Sequence, residues 1–162
     1  MGYTHYWRIY VEEISDSKWE KIVHDFKKLV ENPTGKLLIN ELLNTDRFSM
    51  CDEKEISFNG IDELAHETMC FEKKGQLAED DYEDNAKRMR FSFCKTARKP
   101  YDDFVVGLLV IAKKHLGDKI EVSSDGVEID WLKGSQMVRR SLGYGSDCKI
   151  DSHGRMTLES EP

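Results

Sequence analysis

The chain has 162 residues, 34% of them charged and 39% hydrophobic, and its 24 Lys+Arg against 31 Asp+Glu give a formal charge of −7. That length suits one domain, residues 1–162, with a core of its own, and the composition is globular rather than disordered or fibrous. The acidic balance argues against broad binding to long duplex nucleic acid, which depends on neutralising many phosphates.

Residues 3–12 are aromatic and β-branched enough for a strand, with Tyr3, His5, Trp7, Ile9 and Val11 on one face and Thr4, Tyr6, Arg8 and Tyr10 on the other. A helix follows. Ser17 and Glu20 have capping-box spacing, and Trp19, Ile22, Val23, Phe26, Leu29 and Val30 recur at helical intervals until Pro33 and Gly35. Residues 36–54 fit either a strand or a short helix. Residues 55–58 read as a strand, Asn59-Gly60 as a turn, and residues 67–73 as a returning partner. The polar stretch of about 74–86, with Glu79, Asp80, Asp81, Glu83 and Asp84, reads as an exposed acidic loop.

Residues 88–94 alternate as a strand that puts Phe91 and Phe93 on one side. Pro100 suits the first turn of a second helix, which is apolar around most of its circumference and ends at Gly117. Residues 119–123 and 127–131 are expected to pair as a hairpin around Ser124-Asp125-Gly126. A shorter third helix is expected over about 133–142, and a strand or flexible tail over about 151–162. The order of elements predicts an α+β fold, a mostly antiparallel sheet with two main helices on one face. A ferredoxin-like core with extra strands is its most specific version.

No apolar run reaches the ~18–20 residues of a membrane span. The opening residues have neither a basic nor an apolar signal region, and Tyr6 stands where a myristoylation sequence needs Ser or Thr. A cytoplasmic protein without a membrane partner is expected. Cys51, Cys70, Cys94 and Cys148 form no C-x-x-C pair, which suits free thiols. No two histidines have the spacing of a helical zinc site. His66 and Cys70 are four apart, too little for a metal assignment, and no cofactor is implied.

The segment of residues 87–99 holds Lys87, Arg88, Arg90, Lys95, Arg98 and Lys99 and no acid, which leaves the rest of the chain at −13. Its second half enters a helix, where free N–H groups favour an anion, so Lys95, Thr96, Arg98 and Lys99 are the candidate phosphate or carboxylate site. Lys87, Arg88 and Arg90 fit better as partners of the acidic loop. Known phosphate chemistry is absent: Pro100 stands where a cysteine phosphatase needs Arg, and there are no P-loop glycines. Ser92 and Lys95 match an acylase dipeptide without its partner motifs.

His5 shares its face with Trp7, Ile9 and Val11, which favours a core-edge histidine over a catalytic one. Were that face open, Tyr6 or Trp7 would stack on a base. Asn59, His66 and Glu67 place an amide, an imidazole and a carboxylate on one loop. Adjacent residues on a strand face opposite ways, which counts against a His66–Glu67 dyad. Arg139 and Arg140 lie in a second stretch free of acids.

The opening Met-Gly-Tyr-Thr-His-Tyr-Trp, together with Phe-Asn-Gly at 58–60, His-Glu-Thr at 66–68, Phe-Cys-Lys-Thr-Ala-Arg-Lys-Pro-Tyr-Asp at 93–102 and Val-Ser-Ser-Asp-Gly at 122–126, resembles a family of small uncharacterised bacteriophage and bacterial proteins. The likeness runs from residue 1 to about Tyr144. It brings no activity with it, but a phage context implies sequestration of nucleotide-derived immune signals, an anti-defence role.

The resulting expectation is a binder of a small anionic, nucleotide-derived ligand. Lys95, Thr96, Arg98 and Lys99 would hold phosphate, Tyr6, Trp7 and Phe71 would line the base, and Asn59 and His66 would add hydrogen bonds. Two alternatives are carried: a phosphodiesterase or nucleotide hydrolase using His5 or His66, and a protein inhibitor of a host factor. The oligomeric state is left open.

Overall fold

The computed structural model describes residues 2–31, 43, 51–79 and 88–158. Most of the ambiguous 36–54 stretch and residues 80–87 of the acidic segment, Lys87 included, lie outside the described residues. The main sheet is formed by β1 (Thr4–Ile9), β4 (Ala78–Glu79), β5 (Arg88–Lys95) and β6 (Ile120–Ser124), in the order β4-β5-β1-β6 with every pair antiparallel. With α1 (Asp16–Val30) after β1 and α2 (Asp102–Leu116) between β5 and β6, this is the βαββαβ order of a ferredoxin-like sheet, first and third strands central. The protein is α+β.

Alternation gives the sheet two unlike faces. His5, Trp7, Ile9, Cys94, Ile120 and Val122 are buried beneath the helices. On the other face, Tyr6 pairs with Phe93 and Ser123, and Arg8 pairs with Phe91 and Glu121. Among the described residues no helix covers Phe91 or Phe93 on that face, and they are 48% and 54% exposed.

Helix α1 starts two residues earlier than the Ser17 capping box implied. Ser15 is the cap, its Oγ accepting the Lys18 N–H, and Ser17 lies in the first turn. Helix α2 is buried almost throughout and contacts both other helices.

The expected second strand at 127–131 is instead the start of a third helix, α3 (Glu128–Leu142), as long as the other two. Asp130 Oδ2 accepts the Val127 N–H at 2.9 Å, and Trp131, Gly134, Ser135 and Val138 form the buried helical face. A four-residue alternation at 127–130 was too short to compete with that longer period. Close approach to α2 fixes Gly134: an added Cβ would lie 2.6 Å from Val106 Cγ1 and 2.8 Å from the Asp103 carbonyl oxygen.

Two hairpins complete the core. β2 (Glu55–Phe58) and β3 (Met69–Glu72) bring Ile56, Phe58, Met69 and Phe71 under α1, with Phe71 6.1 Å from Trp7 and 6.2 Å from Trp19 between ring centroids. β7 (Cys148–Ile150) and β8 (Met156–Leu158) pair with each other, and Ser124 N–H donates to the Gly154 carbonyl at 2.8 Å. Residues 151–158 are thus part of the fold rather than a tail; residues 159–162 lie outside the described residues.

Arg90 also departs from expectation. It is buried, and its guanidinium donates to the carbonyls of Val11, Glu72 and Lys73 at 3.0, 3.1 and 3.2 Å. It stitches the sheet to the β3 hairpin instead of meeting acidic side chains.

Candidate functional site

The connection from β5 to α2 was the candidate anion site, and its side chains point to different tasks. Thr96 is fully buried and donates to Asp102 Oδ1 at 2.6 Å. Arg98 pairs with Asp130 and lies 4.2 Å from the Tyr3 ring centroid. Lys99 Nζ donates to the Glu63 carbonyl at 2.9 Å.

The helix start is itself occupied. Asp102 and Asp103 sit in its first turn, and the Asp102 N–H donates to the Lys99 carbonyl at 2.8 Å. Two carboxylates already complement the helix dipole there, and they oppose a second anion. The loop is fastened inward at a cost. Ala97 and Arg98 have φ of 50° and 58°, a left-handed conformation disfavoured by roughly 1–2 kcal/mol per residue. The Tyr3 carbonyl holds the loop by accepting from both Thr96 and Ala97 N–H groups.

Beneath this loop lies a buried polar network. His5 Nε2 is 2.6 Å from Asp102 Oδ1, and His5 Nδ1 is 2.9 Å from Ser124 Oγ. Ser124 Oγ also accepts the Gly126 N–H at 2.9 Å, so a consistent assignment has Nε2–H donating to Asp102 and the Ser124 hydroxyl donating to Nδ1. The rings of Tyr3 and Trp131 meet His5 edge-on at 5.0 and 5.2 Å. The group types are those of a serine hydrolase, but His5 is wholly buried and Ser124 already takes a backbone hydrogen bond. The network braces β1, β6 and α2 against one another.

Other expected site residues are also structural. Trp7 and Phe71 are core side chains, 2% and 0% exposed, so neither lines a base site. Asn59 shapes its own loop: Nδ2 donates to the His66 carbonyl and to Thr68 Oγ1, while Oδ1 accepts from the Gly60 and His66 N–H groups. His66 is exposed, with Nδ1 2.8 Å from the Lys95 carbonyl, a contact that places the proton on Nδ1. Glu67 accepts the Lys95 N–H at 2.8 Å through Oε2. The two residues brace the end of β5 side by side rather than forming a dyad.

Cys70 and His66 likewise have separate partners. The Cys70 thiol donates to Glu55 Oε2 at 3.1 Å, and Glu55 stands directly across from Glu72. Burial first, and then Glu55, push that thiol up to about 12, so it stays protonated and donates to Glu55.

An accessible aromatic surface lies on the open sheet face. Tyr6, Phe91 and Phe93 form a continuous aromatic surface, with ring centroids 6.2 Å apart for Tyr6–Phe91 and 6.1 Å for Phe91–Phe93. Tyr6 is anchored by donating to Asp125 Oδ1 at 3.0 Å, and burial first, then this bond, raise its hydroxyl above the usual range. The Arg8 guanidinium lies 5.3 Å from the Phe91 centroid, and its Nε has no hydrogen-bond partner among the described residues. Lys95 continues the same face of β5 beyond Phe93. No ion pair among the described residues engages Arg8, Arg88 or Lys95.

Of the residues expected at a site, Tyr6 and Lys95 are brought together here. Arg8, Phe91 and Phe93 join them. The signal for these was present in two strand alternations, one placing Phe91 with Phe93 and the other Tyr6 with Arg8; register between the strands was the missing piece.

Comparison with protein-family models, with curated proteins and with solved structures finds no match to this chain.

Proposed function

We propose that this protein binds an anionic, nucleobase-bearing ligand on the open face of its main sheet. The carrying observation is the row of three aromatic side chains on the two central strands, two of them about half exposed, beside cations without acidic partners among the described residues. A sheet face of this kind normally carries polar residues, and contiguous exposed apolar surface marks an interaction site. Aromatic faces attract bases through stacking, worth ~1–3 kcal/mol per base, and Arg8 and Lys95 supply the charge for phosphate.

Binding is the whole of this role. His5 is sealed beneath the helices, and the nucleotide is expected to leave unchanged. A protein that holds nucleotides without consuming them is suited to sequestration, the role implied by the resemblance to phage proteins.

The test is an amide NMR titration with AMP and, in parallel, ribose 5-phosphate. AMP should shift the resonances of Tyr6, Phe91 and Phe93 at millimolar concentration, and ribose 5-phosphate should not. Recovered AMP should be intact, and a Phe91→Ser/Phe93→Ser variant should lose the response. Silence with AMP at several millimolar, or shifts confined to residues 95–99, overturns the reading.

A further inference from the structure

We infer that the ligand of this face is a short single strand of nucleic acid, with about three successive nucleotides across β1 and β5 and one base at each of Tyr6, Phe91 and Phe93. This rests on the nucleotide reading above and specifies the kind of nucleotide.

The spacing of the rings is the first argument. Phe91 neighbours both of the others, 6.2 Å from Tyr6 and 6.1 Å from Phe93 between ring centroids, and Tyr6 stands across the strands from Phe93. These steps are close to twice the ~3.4 Å rise per base of a duplex strand. Bases that remain stacked on one another cannot each meet a separate ring at that interval. Splayed bases of a single strand can, and unstacked bases on aromatic side chains of a four-stranded sheet are a general mode of single-strand recognition. A duplex shows base edges in its grooves and has no exposed base faces for three side chains to cover.

The second argument is how the face is filled. A mononucleotide covers one ring and leaves the other two in water. The planes of Tyr6 and Phe91 differ by 22° and those of Phe91 and Phe93 by 36°, and Phe91 and Phe93 are each about half exposed, so more than one ring is open to a base. Arg8 lies over one face of the Phe91 ring and Lys95 follows Phe93 on the same strand face, so two cations border the rings and can reach phosphates, while a base stacks on the ring surface that Arg8 leaves open.

The third argument sets the length. Across β1, the β6 side of the face carries Glu121, opposite Arg8, and the following turn carries Asp125, bonded to Tyr6. These acids, with −7 overall, disfavour extension of a polyanion across β1 toward β6. The footprint therefore ends with the aromatic row.

Oligoadenylates of one, two, three and six nucleotides, in ribo and deoxyribo series, are titrated against the full chain by isothermal calorimetry, with AMP shifts followed by NMR. The dissociation constant should fall about tenfold per added nucleotide up to three. It should then level off at six, apart from the statistical gain of extra registers. Phe91→Ser, at an exposed position where circular dichroism should be unchanged, should cost the trimer at least tenfold and AMP far less. A gain in only one series identifies that sugar; a gain in both identifies the shared base and phosphate chemistry. AMP and trimer of equal affinity, with shifts at the sheet face, overturn this inference and leave the nucleotide reading standing. No response to AMP or to any oligomer overturns both, and a hexamer far tighter than the trimer overturns the three-nucleotide footprint.

Discussion

Asp102 Oδ1 receives two short hydrogen bonds, from His5 and from Thr96, in a place that water hardly reaches. A buried acceptor that loses one of its two donors is left partly unsatisfied, at about 1–3 kcal/mol. Thr96→Val keeps the shape of the side chain and removes only the hydroxyl, so it should lower the urea-unfolding free energy by that amount without changing the slope. AMP binding to the folded fraction should be unaffected, because Thr96 lies on the buried side of the structure. A variant with normal stability and lost binding would instead return Thr96 to the ligand site. The neighbouring Cys94 gives the same picture of a sealed interior: burial raises its thiol to about 12, far from a reactive thiolate at neutral pH.

At the scale of elements, one carboxylate gathers the far end of the helical layer. Asp25 on α1 lies 2.7 Å from His115 Nε2 at the end of α2 and accepts from the Tyr144 hydroxyl, just after α3, at 2.6 Å. Burial works against its ionisation, but the hydrogen bonds from Tyr144, His115 and His24 outweigh it and hold the carboxyl below its usual range. A depressed folded pKa stabilises the protein above the unfolded value, about 3.9, and that contribution is lost as pH falls through the folded value. Asp25→Asn should therefore cost about 1–2 kcal/mol at pH 7, with allowance for its partial exposure. The difference from wild type should shrink below about pH 4, as the wild-type carboxyl is itself protonated. Equal sensitivity of both proteins to acid across that range would show that the hub is not held by charge.

Elements whose signal is local were legible in the sequence. The alternation of β1 and β5 and the long apolar period of α2 appear where residue order placed them. Helix α3 did not, because its first turn, Val127 to Asp130, alternates like a strand and owes its capping to a side-chain bond from within the helix. The site divided in the same way. Thr96 and Arg98 are polar residues beside a helix start, but the groups that claim them, Asp102 and Asp130, were visible as neighbours only in three dimensions. Composition registered a concentration of charge; it could not register that Arg90 and Arg98 were already spoken for within the fold.

The whole molecule carries one further consequence of its charge. With −7 overall, the protein repels a polyanion at long range, and screening cuts that repulsion beyond ~10 Å at 0.1 M salt. On the proposed reading the attraction comes from the open face, where Arg8 and Lys95 would each meet one phosphate. Counterion release scales with the number of phosphates neutralised, about −0.7 per contact in a log–log plot for single strands. Two contacts predict a slope of about −1.4 for the trinucleotide, or roughly a sevenfold loss between 50 and 200 mM salt. Lys95→Gln should reduce that slope by about half while the stacking contribution, which salt hardly touches, persists. Calorimetric titrations at four salt concentrations measure it. A slope of −4 or steeper would require a basic surface several times wider than the two cations beside the aromatic row, and would move the nucleic acid off this face.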